Sequence, residues 1–253
     1  MISGIFHQGS GIGNQLHRYV ATKVLALDMG YDHSMIAPEL FKAKSFMNLD
    51  LPVHKHTLPV PYDIEYGTGK VIVATPHKLW EEKTNYYNPE FNFIEDNTVI
   101  DGEFQDERYF KHRIGEIDEW LKVDYLDVPD DVCVIGFRGG EFSIFPELFL
   151  TKEYWAEAKV IMLHKNRNMR FEVHTDDPVT AKRFFPDYPV IHNAGINWRS
   201  MRYARNAIIA NSSFYILPRL LNGGFTIAPR YWARRNTKTW SMPANYYRSF
   251  YYI

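Results

Sequence analysis

Short apolar runs at Val132–Phe137, Arg170–His174, Val190–Asn193, Ala207–Ala210 and Phe225–Ala228 alternate with helical patterns over Lys152–His164, Val179–Phe185, Trp198–Arg205 and Ser212–Leu221. The runs are rich in Val, Ile and Phe. Strands alternating with helices of this length predict parallel βαβ units in an open α/β sheet. Asp176-Asp177-Pro178 fits the start of one of these helices, because Asp serves as N-cap and Pro is preset for the first turn.

The first half is less regular. Ile2–Phe6 reads as a strand, and Leu16, Tyr19, Val20, Val24 and Leu27 recur at helical spacing. Between them lies Gly9-Ser10-Gly11-Ile12-Gly13-Asn14-Gln15, a turn from a strand into a helix N-terminus, where backbone N–H groups can hold an anion. A plain turn is the competing reading. Tyr31–Ile36, Val71–Ala74 and Thr98–Ile100 are further strand candidates, and a helix is expected over roughly Asp106–Val123. Residues 37–66 contain four prolines, show no sustained period and read as loops and short pieces. The acidic, proline-containing stretch Asp124–Asp131 is the best boundary. It divides the chain into Rossmann-like domains at 1–125 and 126–253, expected to face each other across a cleft.

At 253 residues the chain has room for two compact domains with cores of their own. Its 29 basic and 30 acidic residues leave a formal charge of −1, which gives no general attraction to nucleic acid or anionic lipid. The single cysteine, Cys133, excludes an intramolecular disulfide and any paired-cysteine metal or redox site, and its apolar surroundings predict a buried thiol. Neither a signal peptide nor eighteen consecutive apolar residues is present, so no transmembrane segment is expected and the protein is expected in the cytoplasm. Aromatic residues make up 16%, which suits stacking on sugars or bases and suits a core equally well.

Gly11-Ile12-Gly13-Asn14-Gln15-Leu16 resembles the GxGNQLFQY motif of the α-1,2-fucosyltransferases of glycosyltransferase family 11. Further matches follow in the family's order. Asp101-Gly102-Glu103-Phe104-Gln105 with Arg108-Tyr109-Phe110 resembles DGYFQSEKYF, and Phe171–Asp177 resembles the segment ending in FSDD. Ala207–Phe214 resembles IISNSTFSWW, and Ile227-Ala228-Pro229 through Trp232 resembles APxxW. The resemblance implies a glycosyltransferase-B-like α/β fold and inverting transfer of a sugar, fucose first, from a GDP-sugar donor to a hydroxyl of a glycan acceptor. It implies no tightly bound cofactor, and it puts the nucleotide on the second domain, against Asn211, Ser212, Ser213 and Phe214.

One motif departs from the family. Where HxRRGD is usual, this chain reads Gly136-Phe137-Arg138-Gly139-Gly140-Glu141, and Tyr215 and Ile216 replace tandem tryptophans. Arg138 is retained at the carboxyl end of a predicted strand. Its guanidinium fork suits the charge that develops on a leaving diphosphate, and a surface or salt-bridged arginine is the alternative. Glu141 is the counterpart of the family acid, either as the base that takes the acceptor's proton or as a group orienting the arginine. Asp101 and Glu103 are the reserve carboxylates. Asp176 or Asp177 is expected to meet a guanine edge or simply to cap a helix. Asn211-Ser212-Ser213 can hold phosphate or serve as an ordinary cap. Gly11, Gly13, Asn14 and Gln15 are expected to complete the site from the first domain.

No metal site is expected: His54 and His56 lack a clear third ligand, and no Asp-x-Asp motif is present. Two other classes compete. One is a catalytically inactive glycan-binding protein that kept the cleft. The other is an NAD-dependent Rossmann enzyme, disfavoured because Leu16 stands where the third glycine of GxGxxG belongs, although Asp32 is suitably near. A P-loop is excluded by the absence of Gly-Lys-Ser/Thr.

Overall fold

The computed structural model describes residues 1–53, 60–62, 71–73, 78–81, 87–145, 148–230, 233–235, 239–241 and 247–253. They divide into two compact units, Met1–Lys122 and Val123–Ile253.

In the first unit, β1 (Ile2–Ile5) leads through the glycine turn into α1 (Ile12–Met29), and β2 (His33–Ile36) returns parallel to β1. The helix forms where the apolar spacing predicts, with Leu16, Tyr19, Val20 and Val24 buried. It ends at Gly30, whose left-handed φ of 71° lets its N–H reach the Ala26 and Leu27 carbonyls. β3 (Val60–Tyr62) and β4 (Val71–Val73) form a separate antiparallel pair, so the strand expected at 71–74 lies outside the main sheet. β5 (Lys78–Glu81) and β6 (Thr98–Asp101) complete a parallel sheet of order β2-β1-β6-β5.

The helix expected over Asp106–Val123 is corrected. α2 spans only Ile114–Trp120, after 3-10 turns at Glu107–Tyr109 and Lys111–Arg113. The Asp106 carboxylate accepts from the Arg108 N–H at 3.0 Å and from its guanidinium at 2.9 and 2.6 Å, and Phe110 adopts a non-helical φ of −145°. Tyr109 and Phe110 are both buried in the core.

The second unit contains β7 (Val132–Phe137), α3 (Lys152–Lys165), β8 (Arg170–Thr175), α4 (Pro178–Phe184), β9 (Val190–Ile191), α5 (Ala194–Tyr203), β10 (Asn206–Ile209), α6 (Ser213–Asn222) and β11 (Phe225–Ala228). An antiparallel pair, β12 (Ala233–Arg235) and β13 (Thr239–Ser241), precedes the last strand, β14 (Phe250–Tyr252). The main sheet is parallel throughout, in the order β14-β11-β10-β7-β8-β9. Read from β9, this is the doubly wound order 3-2-1-4-5-6. α5 begins at Ala194, earlier than the expected Trp198, because the Asn193 side chain accepts from the Ile196 N–H at 2.9 Å and caps it. The expected strand Val190–Asn193 is therefore cut to Val190–Ile191.

Both cores contain clusters of aromatic residues. Phe137 lies among Phe149, Trp155, Phe184 and Phe185 at centroid distances of 5.9, 5.5, 5.3 and 5.7 Å. In the first unit Phe91, Phe104 and Tyr109 form a similar group, with Trp80 against Phe91 and Phe104. The acidic stretch before β7 has a definite use. Asp131 holds Arg170 through two bonds of 2.8 and 2.9 Å, and Asp130 pairs with Arg205 at 2.6 Å. These contacts tie it to the amino ends of β8 and β10.

Candidate functional site

Strand register decides which residues stand together past the carboxyl ends of the second sheet. Gly136 opposes both His174 and Ile209, so Arg138, Asp176 and Asn211 fall in one row two residues further on. Strand order reverses between β7 and β10, and ligands of doubly wound sheets bind outside the carboxyl ends at such a reversal.

Arg138 lies between two carboxylates. Its Nη1 is 2.6 Å from Asp176 Oδ2, its Nη2 donates to Glu141 Oε1 at 3.0 Å, and its guanidinium carbon is 5.1 Å from the centre of the Phe142 ring. The Glu141 side chain is 65% exposed, so water screens that pair and it contributes about 0–1 kcal/mol. Asp176 also accepts from the Gly139 N–H at 2.9 Å. Asp177 accepts from the Gly140 N–H at 3.2 Å and from the Thr180 N–H at 3.0 Å, the latter capping α4 as the sequence suggests. Burial opposes the charge of Asp177, but the bonds from Thr180, Gly140 and Val179 outweigh it and hold the carboxyl below the usual carboxylate range.

The departures from the family motif fit one another. A Cβ on Gly139 would come within 2.6 Å of Asp177 Cβ, and one on Gly140 within 2.6 Å of Asp176 Oδ2. The two glycines thus let the two aspartates close onto the arginine loop. A Cβ on Gly136 would stand 2.8 Å from Met201 Cε and from Tyr215 Cε1. Tyr215, buried, fills that space and donates to the Phe137 carbonyl at 3.1 Å, tying α6 to the end of β7.

On the neighbouring strand, Asn211 Nδ2 donates to the Leu148 carbonyl at 3.0 Å, and the Phe214 ring meets Trp198 edge-on at 5.6 Å. Ser212 precedes α6 without a side-chain cap bond. Ser212 and Ser213 therefore open a helix whose first-turn N–H groups stand at the carboxyl edge, a setting that suits an anion.

The first sheet reverses between β1 and β6. The glycine turn stands at that carboxyl edge, with Gly9 at φ 87°, Gly11 as an extended N-cap lacking a side-chain bond, and Gly13 buried in the first turn of α1. Asn14 Oδ1 accepts from Gln105 at 3.3 Å. Gln15 is fully buried: its amide donates to the Leu40 carbonyl at 2.8 Å and accepts from the Lys42 N–H at 3.0 Å, which positions that loop against α1. His17, on the same helix, is buried and donates from Nδ1 to the Gly13 carbonyl at 2.8 Å. Burial, only partly opposed by that bond, lowers its pKa to about 4, so the ring is neutral at physiological pH.

Asp101 and Glu103, at the end of β6, are both held by Arg18. Its Nη1 donates to Asp101 Oδ1 at 2.8 Å and its Nη2 to Glu103 Oε1 at 3.0 Å. His7 Nε2 lies 2.9 and 3.0 Å from the two oxygens of Asp101. Sequence reasoning missed His7 and Arg18. The available signal for His7 was its place just past the apolar run of β1, where a polar ring reaches the carboxyl edge.

Among the described residues no group of three or more His, Cys, Asp or Glu side chains could hold a metal ion, and no helix is long and apolar enough to cross a membrane. His54, His56 and the Tyr231-Trp232 end of the last motif lie outside the described residues. Cys133 is buried, and burial pushes its thiol pKa up.

No protein-family model and no curated protein sequence matches the chain. Solved structures do. Escherichia coli heptosyltransferase WaaC with ADP is similar at a TM-score of 0.53 and 12% identity, over 100% of this chain and 92% of that one. A glycosyl transferase family 9 structure from Veillonella parvula is similar at a TM-score of 0.50 and 12% identity, over 100% of this chain and 86% of that one. A variant of Arabidopsis thaliana FUT1 in complex with GDP is similar at a TM-score of 0.52 and 10% identity, over 91% of this chain and 70% of that one. The likeness thus extends beyond the α-1,2-fucosyltransferases that the motifs resemble. What it shows is the fold: two Rossmann-like α/β domains of the glycosyltransferase-B type.

Proposed function

We propose that the chain is a cytoplasmic, metal-independent glycosyltransferase that moves a sugar, fucose first, with inversion from a GDP-sugar to a hydroxyl of a glycan. The observation that carries this reading is Arg138 at the strand reversal of the second sheet, in one row with Asn211 and on the strand next to the start of α6. Breaking the bond between the sugar and the diphosphate puts negative charge on the leaving oxygen. A guanidinium fork, with Ser212 and Ser213 at the start of α6, meets that charge with fixed donors. Glu141 and Asp176 orient the fork. Asp176 and Asp177 keep lone pairs for a guanine edge, and Asn211 and Phe214 complete the nucleotide side on residues 123–253. Residues 1–122 take the acceptor, with Gly11, Gly13 and Asn14 at the turn and Gln15 holding its neighbouring loop. Two of the similar folds are of proteins solved with ADP and with GDP, which supports a nucleotide in this role.

A catalytically inactive glycan-binding protein is the second reading, and one observation favours it: Arg138 is ion-paired on both sides by carboxylates. Thermal shifts with GDP, UDP, CMP and NAD separate the two. For the transferase, GDP alone should raise the melting temperature, since a ligand at a hundred times its Kd stabilises the native state by about 2.7 kcal/mol. No response to any nucleotide, with retained binding to a printed glycan array, would favour the inactive protein.

A further inference from the structure

We propose that Tyr215 and Asn197 are positioning residues that set Arg138 against Asp176, a reading that rests on the transferase function above. Both lie in the second unit and are buried. Phe137 and Thr175 face each other as the last paired residues of β7 and β8, and the next residues along the chain are Arg138 and Asp176. The peptide group that carries the Phe137 carbonyl also carries the Arg138 N–H. Because that group is planar, fixing the carbonyl fixes the direction in which Arg138 leaves the strand. The Thr175 carbonyl stands in the same relation to Asp176. Tyr215 donates its hydroxyl to the Phe137 carbonyl at 3.1 Å and shares it with the His174 carbonyl at 3.4 Å. Asn197 Nδ2 donates to the Thr175 carbonyl at 3.1 Å. The His174 ring donates from Nδ1 to Asn197 Oδ1 at 3.0 Å, which holds the amide in that orientation.

The two donors come from a braced helix pair. Trp198, next to Asn197 on α5, meets the Phe214 ring of α6 edge-on at 5.6 Å, and Phe214 meets Tyr215 at 5.3 Å. At the carboxyl end of α5, Arg219 of α6 donates to the Met201 and Ala204 carbonyls at 2.9 and 2.6 Å. Gly136 gives the tyrosine its room, since a Cβ there would stand 2.8 Å from Tyr215 Cε1. Burial pushes the Tyr215 phenol up, with Asp176 adding to the effect and Arg138 opposing it. The hydroxyl therefore stays a donor and feels the charge of both groups it positions. Tyr215 and Asn197 exchange no proton. They act through Arg138 and Asp176, whose geometry must hold within about 0.5 Å for the fork to meet a developing charge.

The test is a double-mutant cycle on GDP affinity, read by calorimetry in wild type, Tyr215→Phe, Arg138→Ala and the double variant, with turnover and melting temperature recorded for each. Tyr215→Phe keeps the ring against Gly136 and removes only the hydroxyl. Turnover on GDP-fucose should fall about ten- to a hundredfold, the scale of a misplacement of up to about 1 Å, and GDP should bind about tenfold more weakly. In the Arg138→Ala background the same change should leave GDP affinity unaltered, because the group it positions is gone. A merely structural role predicts equal weakening in both backgrounds. That result, or wild-type turnover and affinity in Tyr215→Phe, would overturn the assignment. Asn197→Ser should repeat the pattern through the Thr175 carbonyl, and it carries the cycle if Tyr215→Phe does not fold. A wild-type chain that binds no GDP would instead remove the function on which the assignment rests.

Discussion

Replacing Arg138 with alanine should lower turnover on GDP-fucose by about a hundred- to a thousandfold, the loss seen when a fixed donor to a developing oxyanion is removed. GDP affinity should also weaken, because ground state and transition state share the diphosphate. The fold should survive the change. The guanidinium is partly exposed, and its Glu141 partner is largely in water, so little stability is lost with that pair. Asp176 and Asp177 keep the Gly139 and Gly140 N–H bonds and hold the loop shape. Arg138→Lys should fall between, since it keeps the charge without the fork. The rate is read as GDP release and the affinity by calorimetry; an unchanged rate in the alanine variant would remove Arg138 from the chemistry.

Arg219→Ala should act on stability instead, costing about 3–5 kcal/mol, as expected for breaking a fully buried and bonded charged group. Arg219 is fully buried on α6. Its Nε donates to Thr226 Oγ1 at 2.8 Å and its Nη1 to the Met201 and Ala204 carbonyls at 2.9 and 2.6 Å. Burial lowers its pKa to about 10, so the group is still charged at neutral pH. Met201 and Ala204 are at the end of α5, where unpaired carbonyls and the helix dipole favour a cation. Removing the guanidinium leaves those carbonyls buried without donors. The melting temperature should drop by roughly 10 °C or more, and an unchanged melting curve would show that the carbonyls find water.

The doubly wound second half was legible because its strands are short apolar runs and its helices carry their own starts, such as Asp177-Pro178. The β1-α1-β2 unit was legible from the spacing of Leu16, Tyr19, Val20 and Val24. β5 escaped because Lys78-Leu79-Trp80-Glu81 is too polar and short to stand out, and it is a strand only through pairing with β6. The 106–123 helix failed because side-chain bonding at Asp106 and burial of Phe110 override local helical preference. Arg138 and the starts of α4 and α6 could be located, since each follows a recognisable strand. Their mutual fit could not. That Gly136 makes room for Tyr215, or Gly139 and Gly140 for Asp177 and Asp176, depends on contacts between distant segments. His7 pairs with a residue 94 positions away, and no local pattern announces that pair.

The measurement closest to the central claim is transfer by the intact wild-type chain: GDP-fucose supplied over a printed glycan array, with GDP release, fucose attachment and the anomeric configuration of the product recorded together. Fucose should appear on the glycan with inverted configuration, one GDP released for each sugar attached. Glycans bound without GDP release or sugar attachment would contradict a transferase and leave a binding protein on a glycosyltransferase-B fold.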